Sequence, residues 1–374
     1  MNDWLRRGAI AIVAFQVMVP IGIFVQNRTP DPVFVAHSDA GRYQRIAVAP
    51  GNPYKTSEYP AGAILLFKAL GPRPFRDFLL RLIVLQALAQ AVLVVALFWA
   101  WGKRAMWSYL VLSAPLLPIV LTKFDLISVA AAVGGTALVV KRRQRIGGAL
   151  MALGVFVKIW PAAMLPGLAA RRRWRGLATT TIVFAAGLGA WVARAGVTGV
   201  REVVTYRGSR GWHIESVPGS ILYLIRRKTP SFTGGSWRVG APPAWASILV
   251  LLGLVATVGW VWLRVARSSL DLVGIADMSV VGAVLGWSTL FSPQFVIWIV
   301  PFVAIAAARG HLRCERVTAA IVVLTALGVW ATTTDARPPM IQELIYLTRN
   351  AGLICLTVFG IQALARNRSE VLVR

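Results

Sequence analysis

KRRQRIGGALMALGVFVKIWPAAMLPGLAARRRWR, residues 141–175, decides how the chain is threaded. Two basic clusters, Lys141-Arg142-Arg143-Gln144-Arg145 and Arg171-Arg172-Arg173-Trp174-Arg175, enclose a single apolar run. Short loops rich in Lys and Arg mark the cytoplasmic side of a membrane protein, so one straight crossing would put one cluster on the wrong side. Two half-helices meeting near Lys158-Ile159-Trp160-Pro161 remove the conflict, because Pro161 breaks the helix and Lys158 then stands at the apex. Each arm is only about 18 Å long at helical rise, which puts the apex in a recess below the far surface.

The rest of the chain fits a membrane setting. Of its 374 residues, 57% are hydrophobic and 14% charged, whereas soluble domains carry about 25% charged residues. A net charge of +26 would suggest nucleic acid in a soluble protein. Here the bases lie in short clusters between apolar runs, which indicates topology and contact with membrane lipids, and no nucleic-acid partner is expected. The first apolar segment follows Arg6-Arg7 and runs to about Val25 without a small-residue cleavage site, so it is expected to be retained. With Cys314 and Cys355 alone there is no disulfide framework or Cys metal cluster, and His37, His213 and His311 are too scattered for a metal site. The chain has no G-x-S-x-G, H-E-x-x-H or P-loop pattern, and no cofactor is expected.

With the N-terminus in the cytoplasm, a helix over 8–25 exits and opens a first external loop, 26–78. Within that loop 61–70 is apolar but short, bounded by Pro60 and Pro72, and suits an interfacial or re-entrant helix. Further spans are expected over 79–101, 106–121 and 176–195, then over 244–265, 271–290, 295–308, 317–333 and 343–365, with a second long external loop at 196–243. The expectation is an all-α polytopic protein, one transmembrane domain over 1–374, with about twelve helices (ten to thirteen) in the plasma (inner) membrane. This threading leaves nine of the fourteen acids outside. Arg73, Arg76 and Arg81 count against it, and Asp277 within an expected span has no explanation at this level.

The candidate chemistry collects at the external helix ends. Asp39, in His37-Ser38-Asp39, suits a general base, although Ser38-Asp39 equally suits a helix cap. Lys158 has no acid in the adjoining sequence; an anion such as a phosphate would complete it, or it snorkels to the interface. Asp125 either contacts substrate or only pairs with Lys123 or Lys158, and Glu58 is equally a loop charge. Residues 206–216 form the densest polar and aromatic cluster: Arg207 and Arg210 can hold phosphate oxygens, and Tyr206 and Trp212 can stack on a sugar. Gln294, in Phe291-Ser292-Pro293-Gln294-Phe295, can bind a sugar hydroxyl or cap a helix.

Taken in order, Ser38-Asp39…Tyr43, Glu58-Tyr59-Pro60-Ala61-Gly62, Lys123-Phe124-Asp125-Leu126, Lys158-Ile159-Trp160-Pro161, Arg210 to Ser216 and Phe291 to Phe295 resemble the GT-C membrane glycosyltransferases of family 87. That family includes polyprenyl-phosphate-mannose-dependent α-1,2-mannosyltransferases. Two positions depart from its pattern: Ala61 stands where a second Pro often follows Tyr-Pro, and Lys123 where an Arg often precedes Phe-Asp. The resemblance implies a GT-C architecture, a polyprenyl-phosphate sugar donor, a glycolipid or lipoglycan acceptor, and inversion at the anomeric carbon. It implies Asp39 as catalytic base. Lys158, Arg207 and Arg210 are then candidates for the donor phosphate, and His37, Tyr43, Glu58, Tyr59, Asp125, Trp212, His213, Glu215, Ser216 and Gln294 for sugar or acceptor. A sugar phosphate leaves already ionised, so one base and some cations suffice. An arabinofuranosyltransferase is the nearest enzyme alternative. A lipid-linked-sugar transporter or flippase would carry its ionisable residues along a mid-membrane path instead of at helix ends.

Overall fold

The structure, a computed structural model, describes residues 3–26, 35–36, 38–72, 74–205, 211–226, 230–233, 236–331 and 340–366. Among the described residues it is helical apart from one antiparallel hairpin, β1 (Ser231–Thr233) with β2 (Ser236–Arg238). After α1 (Asp3–Gln26) come α2 (Asp39–Val48) and α3 (Ala61–Leu70). A long helix follows, α4 (Phe75–Ser113), bent where Gly102 adopts φ 82°, ψ −175° beside Lys103-Arg104. A residue with a Cβ rarely takes that conformation, so the glycine sets the break between the two expected spans.

The 141–175 segment folds back on itself. Helix α5 (Asp125–Val140) ends at Lys141, and α6 (Gln144–Val157) returns antiparallel to Lys158. Lys158 is extended (φ −152°, ψ 137°); Trp160–Met164 then form a 3-10 turn, and α7 (Pro166–Ala170) reaches Arg171. Both basic clusters therefore stand at one end of this unit and Lys158 at the other. The following helix, α8 (Trp174–Thr205), crosses α6 closely: a Cβ on Gly148 would stand 2.2 Å from the Gly176 carbonyl oxygen.

Next are α9 (Val217–Arg226), α10 (Ala244–Ala266), α11 (Ile275–Trp287), α12 (Val300–Ala308), α13 (Leu312–Ala331) and α14 (Met340–Arg366). Among the described residues, four helices are long and apolar enough to cross a membrane: 75–120, 174–203, 244–266 and 341–366. They leave broad apolar faces uncovered, with Trp245, Ile248, Leu251 and Val255 of α10 all more than half exposed. Faces of that size suit lipid and not water. The chain is a membrane protein. Shorter apolar helices are largely enclosed by protein: Val300 to Ala307 of α12, within the expected 295–308 span, are all buried, as is most of α5. A helix apolar on every side suits a protein core as well as lipid, so hydropathy alone does not separate the two cases.

The core has two main parts. One joins α5, α11 and α12 with the 3-10 turn Pro293–Trp298. The other joins α2, α3, the first half of α4 and α8 around Phe67, Phe78 and Phe124. Asp277 is also accounted for. Helix α11 begins at Ile275, so Asp277 lies in its first turn, where it accepts from the Gly274 amide (3.1 Å) and from Arg171 Nη2 (2.9 Å to each carboxylate oxygen).

Candidate active site

Two helix N-termini meet at the Lys158 end of the α5–α6 hairpin. Asp39 is the first residue of α2, whose Ser38 side chain caps it by accepting from the Gly41 amide at 3.1 Å. Asp125 is the first residue of α5, and Gln86 Oε1 of α4 accepts from the next amide, Leu126 (3.1 Å). A carboxylate at a helix N-terminus is stabilised by the positive end of the helix dipole.

Each acid holds a lysine. Lys123 Nζ lies 2.5 Å from Asp39 Oδ2. Lys158 Nζ is bonded to Asp125 Oδ1, which also accepts from Trp298 Nε1 at 2.7 Å. Asp125 Oδ2 is buried without a hydrogen-bond partner among the described residues. Three rings wall in the Lys158 ammonium: Phe295 at 4.5 Å, Phe124 at 4.7 Å and Trp298 at 5.2 Å. Cation–π attraction strengthens as such a site is desolvated. Structure thus supplies the anion that the neighbouring sequence of Lys158 lacked.

The α2 segment is fixed by a ring cluster. Tyr43 stacks on Phe67 at 4.6 Å, and Tyr59 and Phe124 meet both edge-on at 5.1–5.6 Å. Tyr43 and Tyr59 therefore act first as packing residues of this site, tying the Asp39 helix to the Lys123-Phe124-Asp125 turn. Glu58 pairs with Arg42 at 2.9 Å, one turn along α2 from Asp39. Burial opposes ionisation of Asp39, but Lys123 beside it, with Arg42 and Lys158 farther off, outweighs this and holds its carboxyl below the usual range. A quarter of the Asp39 side chain remains exposed, so the carboxylate is both ionised and reachable. Burial, with Asp39 next, pushes the Tyr43 phenol well above its ordinary value, which leaves it neutral.

A second polar cluster stands against the same ring wall. His213 Nδ1 is 3.0 Å from the Phe291 carbonyl oxygen and Nε2 is 2.9 Å from Ser236 Oγ of the hairpin. Trp212 is buried and pairs through its backbone with Val239. Ser216 Oγ accepts from the Gly219 amide at 3.1 Å, so it caps α9. The Glu215 carbonyl accepts from Arg349 (2.5 Å) and Asn350 (3.2 Å) of α14. Burial raises the Glu215 carboxyl against the pull of Arg349. Arg349 lies over Phe291 at 4.1 Å, and Phe291, Phe295 and Trp298 follow one another at 6.2 and 4.2 Å. A file of rings thus runs from Arg349 to Lys158. Gln294 is buried within this turn.

His37, Arg207 and Arg210 lie outside the described residues. Arg42, Lys123, Trp298 and Arg349 were not among the sequence candidates. Arg349-Asn350 in an apolar stretch was the readable signal, since a charge within a membrane helix marks a partner or a function. Among the described residues no group of three or more His, Cys, Asp or Glu could hold a metal ion.

Residues 58–293 match the family model of Glycosyltransferase family 87. No curated protein matches the chain. The match spans well over half of the 374 residues, and the chain belongs to glycosyltransferase family 87. The interval takes in Glu58, Asp125, Lys158, His213 and Glu215, and begins after the Asp39 segment.

Proposed function

We propose that this family member is an inverting GT-C glycosyltransferase that moves a sugar, mannose before arabinose, from a polyprenyl-phosphate donor to a glycolipid or lipoglycan acceptor. It works at the external face of the inner membrane, within one transmembrane domain of about twelve spans. The loops over 26–78 and 196–243 form the external surface around the site. One observation carries the reading: an ionised, reachable carboxylate, Asp39, stands beside Lys123 at the same end of the α5–α6 hairpin as the Asp125–Lys158 pair.

Asp39 accepts the proton of the acceptor hydroxyl as its oxygen attacks the anomeric carbon from the face opposite the phosphate. The bond from the anomeric carbon to the phosphate oxygen breaks, and its electrons leave on the polyprenyl phosphate. No acid is required, because that leaving group is stable as an anion. Lys158, Arg207 and Arg210 draw the phosphate by charge, with Lys158 sharing its ammonium protons between Asp125 and a phosphate oxygen. Asp125 is fully buried and its Oδ2 has no hydrogen-bond partner among the described residues; because a buried carboxylate oxygen is costly to leave unbonded, a sugar hydroxyl admitted to the site would satisfy it. Glu58, Tyr59, Tyr43, Gln294 and the Trp212–Ser216 segment with His37 shape the sugar and acceptor space. Of these, His213, Glu215 and Ser216 are held by Phe291, Arg349 and the α9 cap, so they contribute through position.

The test is transfer of labelled sugar from polyprenyl-phosphate mannose, or separately polyprenyl-phosphate arabinose, to a mixture of envelope glycolipids by the purified protein. Asp39→Ala should abolish transfer with either donor the wild type accepts. Undiminished transfer by that variant sinks the assignment. Lipid translocation across vesicles without any transfer would identify a transporter.

A further inference from the structure

At the opposite end of α5 from Asp125 lies a cavity of about 800 Å³. Sixteen residues of helix separate the two sites, roughly 24 Å along the axis. The volume is within the range of sites that enclose small molecules. Its inner wall is apolar, made by Val139, Met151, Leu168 and Val265 among others, and its rim carries Arg171, Arg172, Arg173, Arg267, Ser268 and Ser269.

The charge balance of this rim decides what it can hold. Arg171 is committed to Asp277 through both carboxylate oxygens. The one acid that lines the cavity, Asp271, is bonded to Arg309 at 2.6 Å. Arg172, Arg173 and Arg267 have no acidic partner among the described residues. The C-terminal ends of α5, α7 and α10 also face this region, and each contributes roughly half a negative charge. Three full positive charges outweigh three halves, so the rim attracts anions.

The turn that ends α7 fixes where Arg172 leaves the backbone at this rim. At the end of α7 the Arg172 amide bonds to Ala169 O and the Arg173 amide to Leu168 O. That pair closes a Schellman turn, whose left-handed position is normally glycine. Here Arg172 occupies it at φ 54°. The equivalent turn after α5 also carries an arginine, Arg142 at φ 65°, which does not line the cavity, whereas the one after α12 uses Gly310 at φ 96°.

We propose that this cavity is a binding site for an anionic phospholipid, its phosphodiester headgroup held by Arg172, Arg173 and Arg267 and its first acyl carbons by the apolar wall. The mouth combines Arg267 with Leu270, a leucine 48% exposed, which suits an amphiphile better than a free phosphate ion. Basic pockets between membrane helices at the Lys- and Arg-rich face bind such headgroups. The site is separate from the donor site, and its test reads lipid binding without reference to sugar transfer.

The experiment is native mass spectrometry of the purified full chain titrated with phosphatidylglycerol or with phosphatidylcholine of the same acyl chains. Phosphatidylglycerol should bind preferentially, and Arg172→Gly/Arg267→Gln should weaken it at least tenfold. Glycine at position 172 suits the left-handed backbone, so that variant keeps the turn. Arg145→Gln/Arg175→Gln removes the same charge from exposed positions outside the cavity and should stay within twofold of wild type. Equal weakening by both pairs, equal binding of the two lipids, or displacement of phosphatidylglycerol by millimolar inorganic phosphate would each overturn the proposal.

Discussion

Lys123 Nζ is held 2.5 Å from Asp39 Oδ2, although 84 residues separate the two. The turn that opens α5 thereby supplies the counter-charge for the residue that opens α2. A carboxylate paired in this way is a weaker base than a free one but remains ionised to lower pH.

The pH dependence of transfer follows from that pair. In the proposed mechanism Asp39 is the ionised base, and its carboxyl is held below the ordinary range, with burial opposed by Lys123. Activity should therefore persist as pH falls below the usual aspartate value, about 3.9, for as long as the protein stays folded. Lys123→Met removes the lowering charge, so the acidic limb of kcat/KM should move to higher pH. Lys123→Arg should keep it low. Rate profiles of the three proteins at matched ionic strength provide the check, and identical limbs would separate Asp39 from the base role.

Removing one member of the buried pair should cost more than removing both. Lys158→Met leaves the fully buried Asp125 without its cation, a change that typically costs about 3–5 kcal/mol. Asp125→Asn combined with Lys158→Met should recover part of that loss. Chemical unfolding in a single detergent measures the difference.

Trp298→Phe keeps the aromatic face beneath Lys158 but deletes the 2.7 Å bond to Asp125. A lost hydrogen bond to a buried charged acceptor should lower stability by about 1.5–3 kcal/mol. Weaker donor binding should accompany it, because Asp125 then draws more heavily on Lys158. Unfolding midpoint and KM for the donor are the two readings.

Helix α6 crosses α8 through a glycine contact. A Cβ at Gly148 would press on Gly176 O at 2.2 Å and Thr180 Oγ1 at 2.8 Å. Gly148→Ala should destabilise by about 1–3 kcal/mol, the usual range for overpacking. Gly189→Ala, on the same α8, meets nothing within 4 Å and should be neutral or slightly stabilising by helix propensity. Thermal unfolding of the two variants side by side tests the contrast.

The folded-back 141–175 hairpin was legible because charge and proline act locally: two basic clusters demand one side, and Pro161 supplies the break. Membership of the family was legible from short motifs kept in order. Hydropathy alone does not fix the number of spans, since Val300 to Ala307 are as apolar as a lipid-facing run yet are enclosed by protein. Asp277 looked like a mid-membrane charge only because hydropathy started its helix four residues early; its partner Arg171 is 106 positions away. The lysine partners of Asp39 and Asp125 lie 84 and 33 residues off. No periodicity links such positions, and only packing of the Tyr43, Tyr59, Phe67 and Phe124 rings brings them together.

The bond from Trp298 to Asp125 spans 173 residues, and this sets an order on biosynthesis. A nascent chain that has inserted α5 and α6 already holds Asp39, Asp125 and Lys158, but two of the three rings around Lys158 have yet to be synthesised. Completion of the site is therefore a late event, tied to arrival of the Pro293–Trp298 turn. A chain halted before that turn would carry Asp39 and the two lysines without the wall that holds them in register.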